Sequence, residues 1–99
     1  RAVTSKRGKD LGKRLETLVF HELKRRHGEV YYWRQHGEVD FVVSDHNGIT
    51  PFQVSWGEPG ERLRKALDEF RGEFPQANDP VVVSRQNVED FLRREGQKK

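Results

Sequence analysis

Asp40 stands between Val39 and Phe41 in the stretch GEVDF (37–41), an acid inside a run that otherwise reads as a core strand. Side chains alternate faces along a strand, which places Asp40 with Glu38, Val42 and Ser44. On the following strand Phe52, Val54 and Trp56 point one way, while Gln53 and Ser55 point the other. The intervening turn decides which of these meet. With Asn47-Gly48 as a two-residue loop, Asp40 lies opposite Ser55 and Val42 opposite Gln53; with a four-residue loop, Asp40 lies opposite Gln53. Both registers gather Asp40, Gln53 and Ser55 on one face within cross-strand reach, whereas a loop of three or five residues separates them. Glu16 borders the apolar stripe of a preceding helix, one turn after Gly12, whose small size lets that helix approach the sheet. An acid from a helix, an acid from one strand and a polar pair from the next make up a divalent-cation site. Mg²⁺ takes a few carboxylate oxygens and keeps water, which leaves room for a phosphate. The plainer alternative is a structural Asp40 bonded to Ser55 or to a backbone amide, since a buried carboxylate needs a partner in any case.

The elements that must position these residues are legible from periodicity. Leu11, Leu15, Leu18, Val19 and Leu23 recur at helical spacing, and Asp10 can cap a helix running from Asp10 to His27. Lys24, Arg25, Arg26 and His27 fill its last turn before Gly28, where cations favour the helix dipole and no ligand is needed to explain them. Three β-rich stretches follow: EVYYWRQ (29–35), GEVDFVVS (37–44) and ITPFQVSW (49–56), the last two joined by DHNG, in which Asn-Gly is a strong hairpin signal. GEPG (57–60) reads as a turn, because no Gly-Lys-Ser/Thr follows it as in a phosphate loop. A second amphipathic helix carries Leu63, Ala66, Leu67, Phe70 and Phe74 and is limited by Gly72 and Pro75. PVVVS (80–84) is a short apolar strand, and Asn87 can cap a last helix bearing Val88, Phe91 and Leu92 that ends near Gly96. The order αβββαβα describes an α/β fold, a mixed sheet flanked by helices, in which a right-handed crossover lays 80–84 parallel to an earlier strand.

Length and composition bound the reading further. Ninety-nine residues, 32% apolar and 35% charged, suit one modest globular domain rather than disorder. No long apolar run exists, so no membrane span or signal segment is expected. The absence of cysteine excludes disulfides and thiolate metal sites and makes a cytoplasmic setting the expectation. The chain starts at Arg1 and contains no methionine, which reads as a piece of a longer protein. Its basic character is terminal: residues 1–14 carry six Lys/Arg against Asp10, and residues 93–99 carry four against Glu95. The body between is acidic. This divides the chain into a basic N-terminal tail (1–9), a single α/β domain (10–95) and a basic C-terminal tail (96–99). Lys6, Arg7, Lys9 and Lys13 are the candidates for contacting nucleic-acid phosphates, with simple solvation as the equal alternative. Histidines 21, 27, 36 and 46 share no metal-ligand spacing and read as surface residues, and Trp33, Trp56, Tyr31 and Tyr32 read as packing rather than base-stacking residues.

LGKRLETLVFHEL, YYWRQHGEVDFVV and PFQVSW, in that order, resemble the motifs of the PD-(D/E)XK nuclease superfamily. More narrowly, the chain is similar over about residues 8–85 to the nuclease-like C-terminal domain of prokaryotic AAA-type ATPases. The resemblance implies a restriction-endonuclease-like αβββαβ core, here with an extra C-terminal helix, and an attached ATPase domain. It implies that Glu16, Asp40 and Gln53 occupy the catalytic and metal-binding positions for Mg²⁺ or Mn²⁺ in DNA hydrolysis. Two positions depart from the family. Gln53 stands where a second acid is usual, and Ser55 where a lysine is usual. A Gln carbonyl ligates a hard cation only neutrally, and serine carries no positive charge. Lys65 or Arg64 on the second helix are the residues that can supply the missing cation. Two functions are therefore expected as competitors: a DNA- or protein-binding regulatory module with a degenerate metal site, and an active Mg/Mn-dependent DNA nuclease.

Overall fold

The computed structural model of the chain describes the backbone of residues 2–97 and the side chains of residues 10–93. Seven elements follow in the expected order: α1 (Ala2–His27), β1 (Tyr31–Arg34), β2 (Glu38–Asp45), β3 (Gly48–Val54), α2 (Glu61–Glu73), β4 (Val81–Val83) and α3 (Val88–Gln97). The strands form one sheet in the order β1-β2-β3-β4, antiparallel through β3 and parallel between β3 and β4. The domain is thus mixed α/β, a four-stranded mixed sheet flanked by helices with an additional helix at the C-terminal end. The crossover through α2 lays Val81–Val83 beside Phe52–Val54.

Each face of the sheet has its own core. On one, Leu15, Val19 and Leu23 of α1 and Phe91 of α3 close over Val43, Phe52 and Val83. On the other, Phe70 of α2 packs over Val39 and Val42, with Trp33 meeting its ring edge-on at 5.3 Å. Val19, Leu23, Val39 and Val83 are fully buried, each contributing about 1.5–3 kcal/mol by leaving water.

Several expectations need correction. Helix α1 begins at Ala2, so Asp10 lies inside it and caps nothing. Residues 2–9 continue the helix, a basic stretch with no apolar periodicity to announce it. Leu18, counted in the apolar stripe, is 43% exposed, because α1 buries only the narrower row Leu15–Val19–Leu23. Tyr31 and Tyr32 stand more than half exposed on the edge strand, whereas Trp33 and Trp56 pack as expected. His27 is half-buried, with Nδ1 3.5 Å from Asp45 Oδ2, while the other three histidines are exposed. Asn87 precedes α3, but its Oδ1 accepts the Ser84 N–H at 2.7 Å and its Nδ2 donates to Val82 C=O, tying the turn back to β4.

Candidate functional site

The β2–β3 hairpin sets the site. Asp45 pairs with Gly48, leaving His46-Asn47 as the turn, one residue earlier than Asn47-Gly48. The Asp45 side chain accepts the Asn47 N–H at 2.9 Å, a local bond that shapes the turn. Gly48 opens β3 at φ +112°, a conformation glycine alone adopts freely, while Asn47 keeps a negative φ. The register runs through Phe41 opposite Phe52, so the next position sets Asp40 against Gln53, the second of the two arrangements expected from the sequence.

At that position β2 departs from regular alternation. Tyr31 and Trp33 of β1, two residues apart, pair with Val42 and Val39, three apart, so β2 carries one extra residue between Val39 and Val42. Bulges of this kind bend a strand and re-aim its side chains. Val39 and Val42 consequently pack under α2 together, and the strict alternation that would unite Asp40 with Val42 is broken.

Beyond Phe41 and Phe52 the β2–β3 ladder stops, and the backbone polar groups there are taken up by side chains. Gln53, only 4% exposed, accepts the Asp40 N–H through Oε1 at 2.9 Å and donates from Nε2 to Glu38 C=O at 2.9 Å. Each end of the amide meets a partner of matching kind, an N–H at the oxygen and a C=O at the nitrogen, which fixes the orientation of the group. Asp40 Oδ2 in turn accepts the Val54 N–H at 2.8 Å. Three side-chain–backbone bonds therefore hold the two strands together where the ladder opens. Burial pushes the Asp40 carboxyl above its ordinary pKa; the Val54 N–H works against this, and Glu16 and Glu38 push it further up.

The preceding turn is anchored to α2. A Cβ on Gly37 would stand 2.8 Å from Ala66 Cβ and 3.0 Å from its Cα, so only glycine permits this approach. Glu69 completes the anchor, accepting the Gly37 N–H at 3.0 Å and the His36 N–H at 3.3 Å and meeting His36 Nδ1 at 2.7 Å. Those bonds hold its carboxyl below the usual range. The glycine of GEVDF thus serves packing, and its aspartate serves the hairpin.

A cleft of about 800 Å³ opens between this turn, the ends of β2 and β3 and the first turns of α2. Asp40, Gln53 and Ser55 line it together, as expected, with Glu38 and Glu69. Its cations are Arg34, Arg62 and Lys65; Arg64, the other cation expected from α2, is not among the lining residues. Arg34 and Arg62 were not anticipated, because their placement depends on the phase of α2 and on the bend after β1. Ser55 Oγ donates to Gly57 C=O within its own turn. Glu16 is half-buried on α1 and does not line the cleft, but it lies near enough to act on the Asp40 carboxyl. Trp56 Cβ would lie 3.9 Å from a Cβ on Gly12, an ordinary contact, so the approach of α1 does not demand glycine there. Lys13 is exposed and lies away from the cleft, and the side chains of Lys6, Arg7 and Lys9 fall outside the described residues.

As a metal site the donor set is short. Among the described residues no group of three or more His, Cys, Asp or Glu is arranged to hold an ion. Asp40 and Glu16 offer two carboxylates; the Gln53 oxygen is already an acceptor and the Ser55 hydroxyl is engaged elsewhere. Hard divalent cations favour charged oxygen ligands, so this set fits Mg²⁺ or Mn²⁺ poorly. No helix among the described residues is long and apolar enough to cross a membrane. Neither the curated proteins nor the solved structures contain a significant match to the chain. Residues 11–97, which span the two cores, the bulge and the cleft, match the family described as a domain of unknown function (DUF4143), and the chain belongs to that family.

Proposed function

We propose that this domain is a nuclease-like fold with a degenerate metal site, acting as a DNA- or protein-binding and regulatory module of a larger prokaryotic ATPase. The observation that carries the reading is the engagement of Gln53. At the position where the resembling nucleases keep a second metal-binding acid, this chain has an amide whose two ends are bonded to Asp40 N–H and Glu38 C=O. That residue holds strands together. With Ser55 turned into its own loop, neither charge that the chemistry uses on β3 is present. The cleft then serves recognition, lined by the cations Arg34, Arg62 and Lys65 and the acids Glu38, Asp40 and Glu69.

One observation favours the active alternative, a Mg/Mn-dependent nuclease hydrolysing phosphodiesters. Glu16 and Glu38 both raise the Asp40 carboxyl, and a cluster of like charges is what a divalent cation relieves. Lys65 on the cleft wall is available as the missing lysine in that case. Calorimetry with Mn²⁺ on the wild type and on Asp40→Ala separates the two. The degenerate reading expects no Asp40-dependent binding and no cleavage of linear or branched DNA. Saturable Mn²⁺ binding that disappears in Asp40→Ala, together with Asp40-dependent cleavage, overturns it.

A further inference from the structure

The chain has three asparagines, and their surroundings differ sharply. Asn78 precedes Asp79, and its side-chain Nδ2 donates to Asn47 C=O at 3.2 Å and to Thr50 Oγ1 at 2.8 Å. Asn87 precedes the β-branched Val88, and both ends of its amide are bonded, to Ser84 N–H and Val82 C=O. Asn47 precedes Gly48 in an exposed turn, and its side-chain amide is held by no hydrogen bond among the described residues. Its backbone alone is tied, N–H to Asp45 and C=O to Asn78.

We propose that Asn47-Gly48 is a site of spontaneous covalent modification, at which the asparagine converts to isoaspartate with water as the only co-reactant. The Gly48 backbone nitrogen, having lost its proton to solvent, attacks Asn47 Cγ. A Cγ–N bond forms, the Cγ–Nδ2 bond breaks, and Nδ2 leaves as ammonia, giving a five-membered succinimide. Water then opens the ring. Attack at the backbone carbonyl gives isoaspartate and attack at the side-chain carbonyl gives aspartate; the balance is asparagine plus water to acid plus ammonia. No oxidant or second protein is involved. Glycine is the residue that makes this fast, because no Cβ shields its nitrogen or restricts the approach of Cγ.

The folded hairpin restrains the step. Gly48 is paired with Asp45, so attack proceeds from states in which the turn has locally opened, and turn tips open at the low end of a protein's stability range. Asp45, His46 and His27 are the titratable groups around the turn.

The product bears on the site. Isoaspartate adds a backbone atom to the turn that ends the β2–β3 ladder, the ladder that sets Asp40 against Gln53. It also displaces the Asn47 carbonyl from Asn78, whose own N–H bonds Ile49 C=O at 2.7 Å and whose side chain lies 3.5 Å from where a Cβ on Gly48 would stand. The segment around Asn78 thereby loses one of its holds on the hairpin.

The test is to age the folded chain and map its peptides by mass spectrometry with chromatographic separation of isoaspartyl and aspartyl forms. Amide loss is expected at Asn47 roughly tenfold or more faster than at Asn78 or Asn87, because only Asn47 combines a following glycine with an unheld amide. The rate rises from mildly acidic to mildly alkaline buffer, since the nucleophile is the deprotonated amide. Asn47→Gln abolishes conversion at that position; should this variant fail to fold, the wild-type map still decides, as it resolves the three sites separately. Hydrogen exchange at the Asn78 amide is expected to quicken in the aged fraction. Equal conversion at the three asparagines, or an intact Asn47 in the folded chain under conditions that convert it in urea, overturns the proposal.

Discussion

Gln53→Leu keeps most of the bulk of a side chain that is 4% exposed and removes both of its hydrogen bonds. The Asp40 N–H and the Glu38 C=O are left facing an apolar group inside the bulge. Leaving a buried polar group unpaired costs about 1–3 kcal/mol. Two such groups, less about 1 kcal/mol regained from apolar burial, give a net loss of about 1–5 kcal/mol. That is a large share of the roughly 5–15 kcal/mol by which small domains are stable. Urea unfolding followed by the fluorescence of Trp33 and Trp56 measures it. With a slope of about 2 kcal/mol per molar, the midpoint falls by roughly 0.5–2.5 M at unchanged slope. A loss below about 1 kcal/mol would refute the reasoning, since Gln53 would then not be holding the strands. Gln53→Glu sharpens the comparison. The introduced carboxyl still accepts from Asp40 N–H, but it can serve Glu38 C=O only when protonated, and it adds a further acid to Asp40, Glu16 and Glu38. Its destabilisation is expected to be relieved by Mn²⁺, seen as a higher Tm, while the wild type shows no such response.

Asp40 itself predicts a pH dependence. Its folded pKa is raised, chiefly by burial, so the stability it contributes is complete below the unfolded value of about 3.9 and is lost as pH rises through the folded value. Asp40→Asn, which keeps an oxygen for the Val54 N–H, should flatten the fall in unfolding midpoint between acidic and neutral buffer; an unchanged profile would mean that Asp40 is not the titrating group. Gly37→Ala drives a methyl against Ala66 at 2.8 Å and is expected to cost about 1–3 kcal/mol by overpacking, measured by thermal unfolding. Ala66→Gly in the same chain should recover part of that loss, and a strictly additive double variant would show that the two residues do not compete for the same space.

How much of this was legible in the sequence depends on whether the determinant was local. The order αβββαβα followed from apolar periodicity and from glycine and proline boundaries, and the whole series of elements appears in the structure. The hairpin was narrowed to two registers by its turn residues. Selecting between them required the Asp45 side chain to bond the Asn47 N–H and Gly48 to enter β3, which moved the turn one residue earlier. The start of α1 gives no periodic signal, because residues 2–9 carry no apolar stripe. The exposure of Tyr31 and Tyr32 was missed because β1 turned out to be an edge strand, a property of sheet order rather than of composition.

For a turn of even length the sequence by itself gathers Asp40, Gln53 and Ser55 on one cleft, since residue types and strand parity are local and survive in either register. What those residues do there was decided by the tertiary structure. The β2–β3 ladder stops at Phe41 opposite Phe52, and beyond that end it is Gln53 that satisfies Asp40 N–H and Glu38 C=O. The cations that share the cleft were likewise selected by the phase at which α2 packs on Val39 and Val42, which brings Arg62 and Lys65 to the wall and leaves Arg64 off it. A sequence states which side chains a strand offers to a face. Only the packing of neighbouring elements sets which backbone groups those side chains must pair with.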